Sequence, residues 1–181
     1  MLRYILAIFA LVQTLSFKLS SNRIHTTISL KNKANDHDEN QIIPPLKQSP
    51  PLKILLVVEP TPFTYISGYS NRFKEMLNHL SKAGDEVRVL TPDSGARMTP
   101  PADYLGFPIK TLRGFEFPLY KQVTLSFDLR FNIRKIIKEF KPDLIHCSTP
   151  SALLWPSIYW SKYYNIPLVF SYHTNFIEYS K

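Results

Sequence analysis

Residues 53–58, KILLVV, follow a single lysine with five apolar side chains and no polar residue at alternate positions. A strand with one wet face would alternate, so this run belongs to a strand buried on both sides, the kind found in parallel sheets covered by helices. Parallel neighbours cannot be joined by tight turns; each pair needs a crossover, usually a helix. The chain is therefore constrained to alternate strand and helix. A turn carrying one glycine, Gly68, comes next, and then a helix start. Ligands of open α/β sheets bind outside the carboxyl ends of the strands, where helix N-termini direct free N–H groups at anions. The stretch from Lys53 to Arg72 is thus the first place to look for a site.

The alternation continues downstream. A helix is expected from about Ser70, with Phe73, Met76, Leu77, Leu80 and Ala83 on one face, stopped by Gly84. Strand two spans Glu86 to Leu90, and Pro92-Asp93 opens a long loop. Ile109 to Leu112 is a possible third strand, and Phe115 to Val123 reads as aromatic and irregular. Ser126 is a candidate N-cap for a helix through Phe140 that buries Leu129, Ile133, Ile136, Ile137 and Phe140. Leu144 to Cys147 is a fourth strand. A helix over 151–164 follows, in which Pro156 implies a kink or a delayed start. Leu168 to Ser171 is the fifth. The expected fold is α/β, a Rossmann-like parallel sheet with helices on both faces.

The first 51 residues differ in character. Arg3 precedes an almost wholly apolar run from Tyr4 to Leu15, too short for a bilayer span, which takes about twenty residues. With Ser16 after it, the pattern fits a secretory signal peptide over 1–16. Phe17 to Lys33 is basic, hydroxylated and free of acids, as transit peptides are, and 34–51 is polar and then proline-rich, a linker. Residues 17–51 are therefore read as a transit-like segment and linker, and 52–181 as the folded domain. A signal followed by a transit-like stretch fits the two-part address of plastids with extra membranes; the secretory pathway or ER is the alternative destination.

The net charge of +8 divides into six basic against three acidic residues over 1–51 and sixteen against eleven over 52–181. No basic run with interleaved aromatics marks a nucleic-acid surface. A single cysteine, Cys147, excludes an internal disulfide and a cysteine-based zinc cage, and its place in a buried strand suits a small core hydrophobe. The first turn has neither the three glycines of a dinucleotide fold nor a Walker sequence, which argues against a dehydrogenase or a P-loop enzyme.

Several residues around the strand ends carry donors or charge. Glu59, closing strand one, is either a loop brace or a ligand contact. Tyr65, Ser67, Tyr69, Asn71 and Arg72 gather donors at the glycine turn, and Arg72 offers a planar fork suited to phosphate or sulfonate oxygens. His146, mid-strand, reads as a core histidine bonded to backbone. His173 lies just past strand five, at the ligand-binding edge.

Taken in order, K-I-L-L-V-V-E-P-T-P-F (53–63), Y-I-S-G-Y-S-N-R-F (65–73), G-D-E-V-R-V-L-T (84–91), F-K-P-D-L-I-H-C-S-T-P (140–150) and P-L-V-F-S-Y-H-T (167–174) resemble the N-terminal domain of retaining GT-B glycosyltransferases of family four. Within that family they are most similar to plant and cyanobacterial sulfolipid synthases, which transfer sulfoquinovose from UDP-sulfoquinovose to diacylglycerol. The resemblance implies that 52–181 is the acceptor-side half of a GT-B fold. It implies that His173 is a catalytic residue supporting an oxocarbenium-like transition state, and that Glu59, Tyr65, Ser67, Gly68 and Arg72 line the donor and acceptor cleft. It implies a UDP-sugar donor, a diacylglycerol or other lipid acceptor, peripheral membrane association, and no metal or other cofactor. The family's donor-binding second Rossmann domain has no counterpart before Lys181, which implies a fragment inactive in isolation. Two other readings stand beside this one: a family-four transferase using another UDP- or GDP-sugar on a lipid, and a non-catalytic domain that binds lipid or a partner.

Overall fold

A computed structural model of the protein describes residues 50–64, 67–93, 95, 98–117, 120–149 and 151–172. The signal, transit-like and linker expectations lie almost entirely outside these residues, as do Tyr65 and His173.

Strand β1 (Lys53–Val57) is the centre of a six-stranded sheet. Helix α1 (Gly68–Ala83) leads to β2 (Glu86–Asp93), which pairs parallel with β1 on one side and with β4 (Phe107–Arg113) on the other. A two-residue strand, β3 (Asp103–Tyr104), lies antiparallel on β4. Beyond the β5–β6 hairpin (Phe115–Phe117 and Tyr120–Leu125) come α2 (Asn132–Phe140), β7 (Leu144–Thr149), α3 (Leu154–Tyr164) and β8 (Leu168–Tyr172). The strand order is β3-β4-β2-β1-β7-β8, parallel except for β3. This is the mixed, largely parallel α/β sheet with helices on both faces that the apolar run demands.

The burial of β1 bears out that demand. Leu55, Leu56 and Val57, with Val58 just beyond, are completely buried. Ile54, Leu56 and Val58 pack with Phe73 and Leu77 of α1 and with Val87, Val89, Phe107 and Ile109 of the neighbouring strands. Leu55 and Val57 point to the other face, as the two-residue period of a strand requires. There α2 buries Ile133, Ile136, Ile137 and Phe140, and Phe140 receives the Arg88 guanidinium 4.8 Å above its ring. On α3 the buried positions include Ser157 and Ser161, whose hydroxyls donate to Leu153 O at 2.8 Å and Ile166 O at 2.7 Å.

Four expectations are corrected. Strand β2 runs through Pro92 instead of ending at Leu90; the β1 ladder stops at Leu90, so the proline's missing N–H falls where β2 has only β4 beside it. The 103–108 stretch turns back on itself at Leu105-Gly106, both at positive φ, the requirement of a two-residue hairpin turn. The aromatic segment 115–123, expected to be irregular, falls in the β5–β6 hairpin, whose second strand runs on to Leu125. Finally, α2 starts at Asn132, six residues after Ser126. Asp128 is its cap, accepting the Asn132 and Ile133 amides at 2.7 and 3.0 Å, and Leu129 is 85% exposed instead of buried. An acidic side chain with two oxygens serves two orphan amides at once, which a serine hydroxyl does not.

Other boundaries agree. Gly84 closes α1 at φ 88 with its N–H on Leu80 O. Pro156 stands at the third residue of α3, inside the first turn, where an amide has no intrahelical partner, so the start is delayed and no bond is lost.

Candidate functional site

The strand order reverses between β1 and β7: the chain passes from β1 outward to β2 in one direction and from β7 outward to β8 in the other. The connections leaving the adjacent carboxyl ends of these two strands therefore diverge, and the crevice between such connections is the usual ligand position of open α/β sheets.

Glu59 sits at the bottom of that crevice. It lies two residues past β1, is 1% exposed, and both carboxylate oxygens are occupied. Oε1 accepts the Ser126 amide at 2.5 Å. Oε2 accepts the Ser151 hydroxyl at 2.6 Å and the Leu153 amide at 3.2 Å. The Glu59 amide donates to Ser148 Oγ at 3.1 Å, at the end of β7. Burial pushes the Glu59 carboxyl up to about 7; the Ser151 hydroxyl and the amides of Ser126, Leu153 and Ala152 pull the other way. Of the two readings open for this residue, the geometry realises the loop brace. Its oxygens face protein donors from two connections, β6–α2 and β7–α3, and turn no surface to the crevice.

At the rim, Ser67 is the N-cap of α1. Its Oγ accepts the Ser70 amide at 3.0 Å, and its carbonyl accepts the Asn71 amide at 2.9 Å. These two bonds occupy the third and fourth amides of the helix start, and Gly68 stands ahead of them at the end of the helix whose polarity suits an anion. Gly68 is exposed, and a Cβ placed on it would meet nothing within 4 Å, so the backbone there is open to close approach. Ser70 is fully buried and donates its hydroxyl to Pro62 O, fastening the helix start to the loop leaving β1. Tyr69 is half-buried, its hydroxyl 3.2 Å from Ser148 Oγ and its ring 4.7 Å from Phe73. Arg72, one turn into α1, is exposed.

The structure thus brings Ser67, Gly68 and Glu59 to the carboxyl edge of the sheet, the first two on the surface and the third beneath it. His146 is half-buried, with Nε2 2.9 Å from Ser171 Oγ on β8. Cys147 is buried and free, and its thiol is pushed up to about 12, chiefly by burial. Sequence reasoning missed Ser126, Ser148 and Ser151 as partners of Glu59. Serines at strand ends are a visible signal, but nothing local says that three of them converge on one glutamate, two on its carboxylate and Ser148 on its backbone. Two further buried hydroxyls, those of Thr61 and Thr91, have no hydrogen-bond partner. Among the described residues, no group of three His, Cys, Asp or Glu side chains is placed to hold a metal ion, and no helix is long and apolar enough to cross a membrane.

Comparison with known proteins agrees with this architecture. Residues 66–181 match Glycosyltransferase Family 4. The chain is 39% identical over 144 residues to a sulfoquinovosyl transferase of Arabidopsis thaliana, covering 77% of this chain and 28% of that protein. It is 24% identical over 131 residues to a GDP-mannose-dependent alpha-mannosyltransferase of Corynebacterium glutamicum, covering 72% of this chain and 31% of that protein. The chain thus spans less than a third of the length of these relatives. With a match over well over half its residues and a parallel sheet whose β1–α1 turn opens on the crevice, the chain belongs to Glycosyltransferase Family 4.

Proposed function

We propose that the protein is the acceptor-side half of a retaining transferase that moves sulfoquinovose from UDP-sulfoquinovose to diacylglycerol. The observation that carries this reading is the 39% identity to a sulfoquinovosyl transferase, against 24% to a mannosyltransferase over a similar span. The chemistry of the crevice supports it. A sugar nucleotide carries two phosphates, and this sugar adds a sulfonate. The open helix start at Ser67 and Gly68 offers amides to one such anion, and Arg72 offers a fork of donors to another. Tyr65 and His173 complete the proposed cleft, His173 presenting a neutral imidazole or its backbone carbonyl, the negative end of a dipole, to the developing oxocarbenium ion. The donor nucleotide binds mainly on a second domain that closes over this edge.

The lipid acceptor implies a membrane-associated enzyme, and the patterns of 1–16 and 17–51 direct it to the plastid envelope. Fusing residues 1–51 to a fluorescent protein tests that address, with a secretory or ER signal as the contrary result.

The activity is tested on the protein expressed from its complete message, supplied with diacylglycerol vesicles and a panel of UDP-sulfoquinovose, UDP-glucose, UDP-glucuronate and GDP-mannose. The expected product is sulfoquinovosyl diacylglycerol with the donor's anomeric configuration retained. Mannosyl transfer would instead establish the second reading, which the similarity to the GDP-mannose-dependent relative favours. Vesicle binding with no transfer from any donor would support the non-catalytic alternative.

A further inference from the structure

We propose that Glu59 is a positioning residue, whose carboxylate ties the β6–α2 and β7–α3 connections to the end of β1 and so sets the floor of the crevice. The inference rests on the glycosyltransferase reading for what the crevice binds, and on the geometry alone for the brace.

Three features carry it. The first is convergence: the donors come from residues 67, 92 and 94 positions away in sequence, so one side chain joins three separate stretches of chain. The second is division of labour between the oxygens. Oε1 serves only the β6–α2 side, through Ser126, and Oε2 only the β7–α3 side, through Ser151 and Leu153. The third is continuity with the rim. Glu59 N–H bonds Ser148 Oγ, and the same oxygen is 3.2 Å from the Tyr69 hydroxyl in the first turn of α1. The floor and the helix start that faces the ligand are thus linked through one serine.

The donor pattern gives the brace a proton dependence. Every contact on the two oxygens is a donor, so the ionised carboxylate satisfies all of them. A protonated carboxyl must find an acceptor, and Ser151 Oγ is the one at hand. That hydroxyl also accepts the Leu153 amide at 3.1 Å. Protonation therefore rearranges the β7–α3 contacts and leaves Ser126 in place on the other oxygen. The titratable and charged groups around it are few. Cys147 on β7 stays a neutral thiol up to about 12. Asp128 on the β6–α2 connection spends its carboxylate on the start of α2. Arg113, at the end of β4, contributes its carbonyl to Ser126 Oγ, and Tyr69 of α1 is joined to Glu59 through Ser148. With a value near 7, the carboxyl changes charge in the neutral range. Its folded value lies above the ordinary 4.5, so its contribution to stability is complete below about 4.5 and is lost as pH rises toward 7.

The test is amide exchange on the full chain, read as protection factors from pH 5 to 8 in wild type and Glu59→Gln. In wild type, Leu153 protection changes through the neutral range while that of Ser126 stays flat. In Glu59→Gln, protection of Ser126 and Leu153 together drops by about tenfold or more, β1 and β2 amides hold their protection, and the pH dependence disappears. Uniform loss across the sheet, or a pH dependence that survives the substitution, overturns the proposal. Should Glu59→Gln fail to fold, Ser151→Ala decides. It removes the foremost contact that favours ionisation, so the midpoint of the Leu153 transition must move to higher pH, and an unmoved midpoint overturns the proposal. Neither arm uses a sugar donor, so a failed transfer assay leaves the brace intact, and a failed exchange experiment leaves the transfer reading intact.

Discussion

At Gly114 the space for one methyl group is missing. A Cβ there would come within 2.6 Å of Thr124 Cγ2, 2.8 Å of Leu125 O and 3.0 Å of Pro92 Cβ, because the β5–β6 hairpin folds back onto the end of β2 at this residue. Gly114→Ala is expected to destabilise by about 1–3 kcal/mol in chemical denaturation. Gly68→Ala serves as the contrast, since open space surrounds that position and the melting temperature should not fall. Thr91 presents the opposite case: it is fully buried, and its hydroxyl has no partner. Thr91→Val replaces an unsatisfied hydroxyl with a methyl of similar size, and an increase of about 1 kcal/mol is the expected result. At this scale the sequence is only partly legible. Glu59 was visible as a carboxylate at a strand end, yet brace and ligand contact remained equal until partners 67 to 94 residues away were in place. Composition carries no information about such distances.

Among the elements, helices show most clearly which signals are local. Gly84 ended α1 as expected because a left-handed stop depends on one residue's own φ. The start of α2 did not follow the simplest rule. Ser126 has a capping side chain followed by an apolar period, but its amide is drawn to Glu59 and its hydroxyl donates to Arg113 O at 2.9 Å. Two long-range bonds thus outweigh one local cap. Asp128, 4% exposed and at φ 49, does the capping, with Oδ1 holding both the Asn132 amide and its side-chain amide. Asp128→Ala should cost about 1–2 kcal/mol, with loss of helical signal over 132–140. Asp128→Asn keeps one acceptor and tolerates the left-handed backbone, so it should cost less. Equal losses from the two would show that the carboxylate is not the cap. The β5–β6 hairpin was illegible for a different reason: its aromatic residues have no clean two-residue period, and pairing across the turn supplies the order that the pattern lacks.

The whole sheet depends on β1, which contributes side chains to both layers. Leu56 packs beneath α1, and Leu55 points to the opposite face, both without solvent exposure. Leu55→Ala and Leu56→Ala should each cost about 2–5 kcal/mol, a large part of the roughly 5–15 kcal/mol that holds a domain together. Because the strand is shared, each should shift one cooperative unfolding transition; two separable transitions would mean that the layers fold independently. The sequence by itself determined the class of this fold. An apolar run without alternation requires cover on both faces, and helical periods between strands supply it. It also determined the family, through motif blocks whose order and spacing survive in a linear reading. Only the tertiary structure decided which strand ends adjoin and what lies in the crevice between them. Periodicity, turn chemistry and capping act over a few residues and are written locally. The meeting of Glu59 with Ser126, Ser148 and Ser151 depends on β7 being placed beside β1 and on the hairpin folding back, contacts that exist only once the chain has closed its long loops.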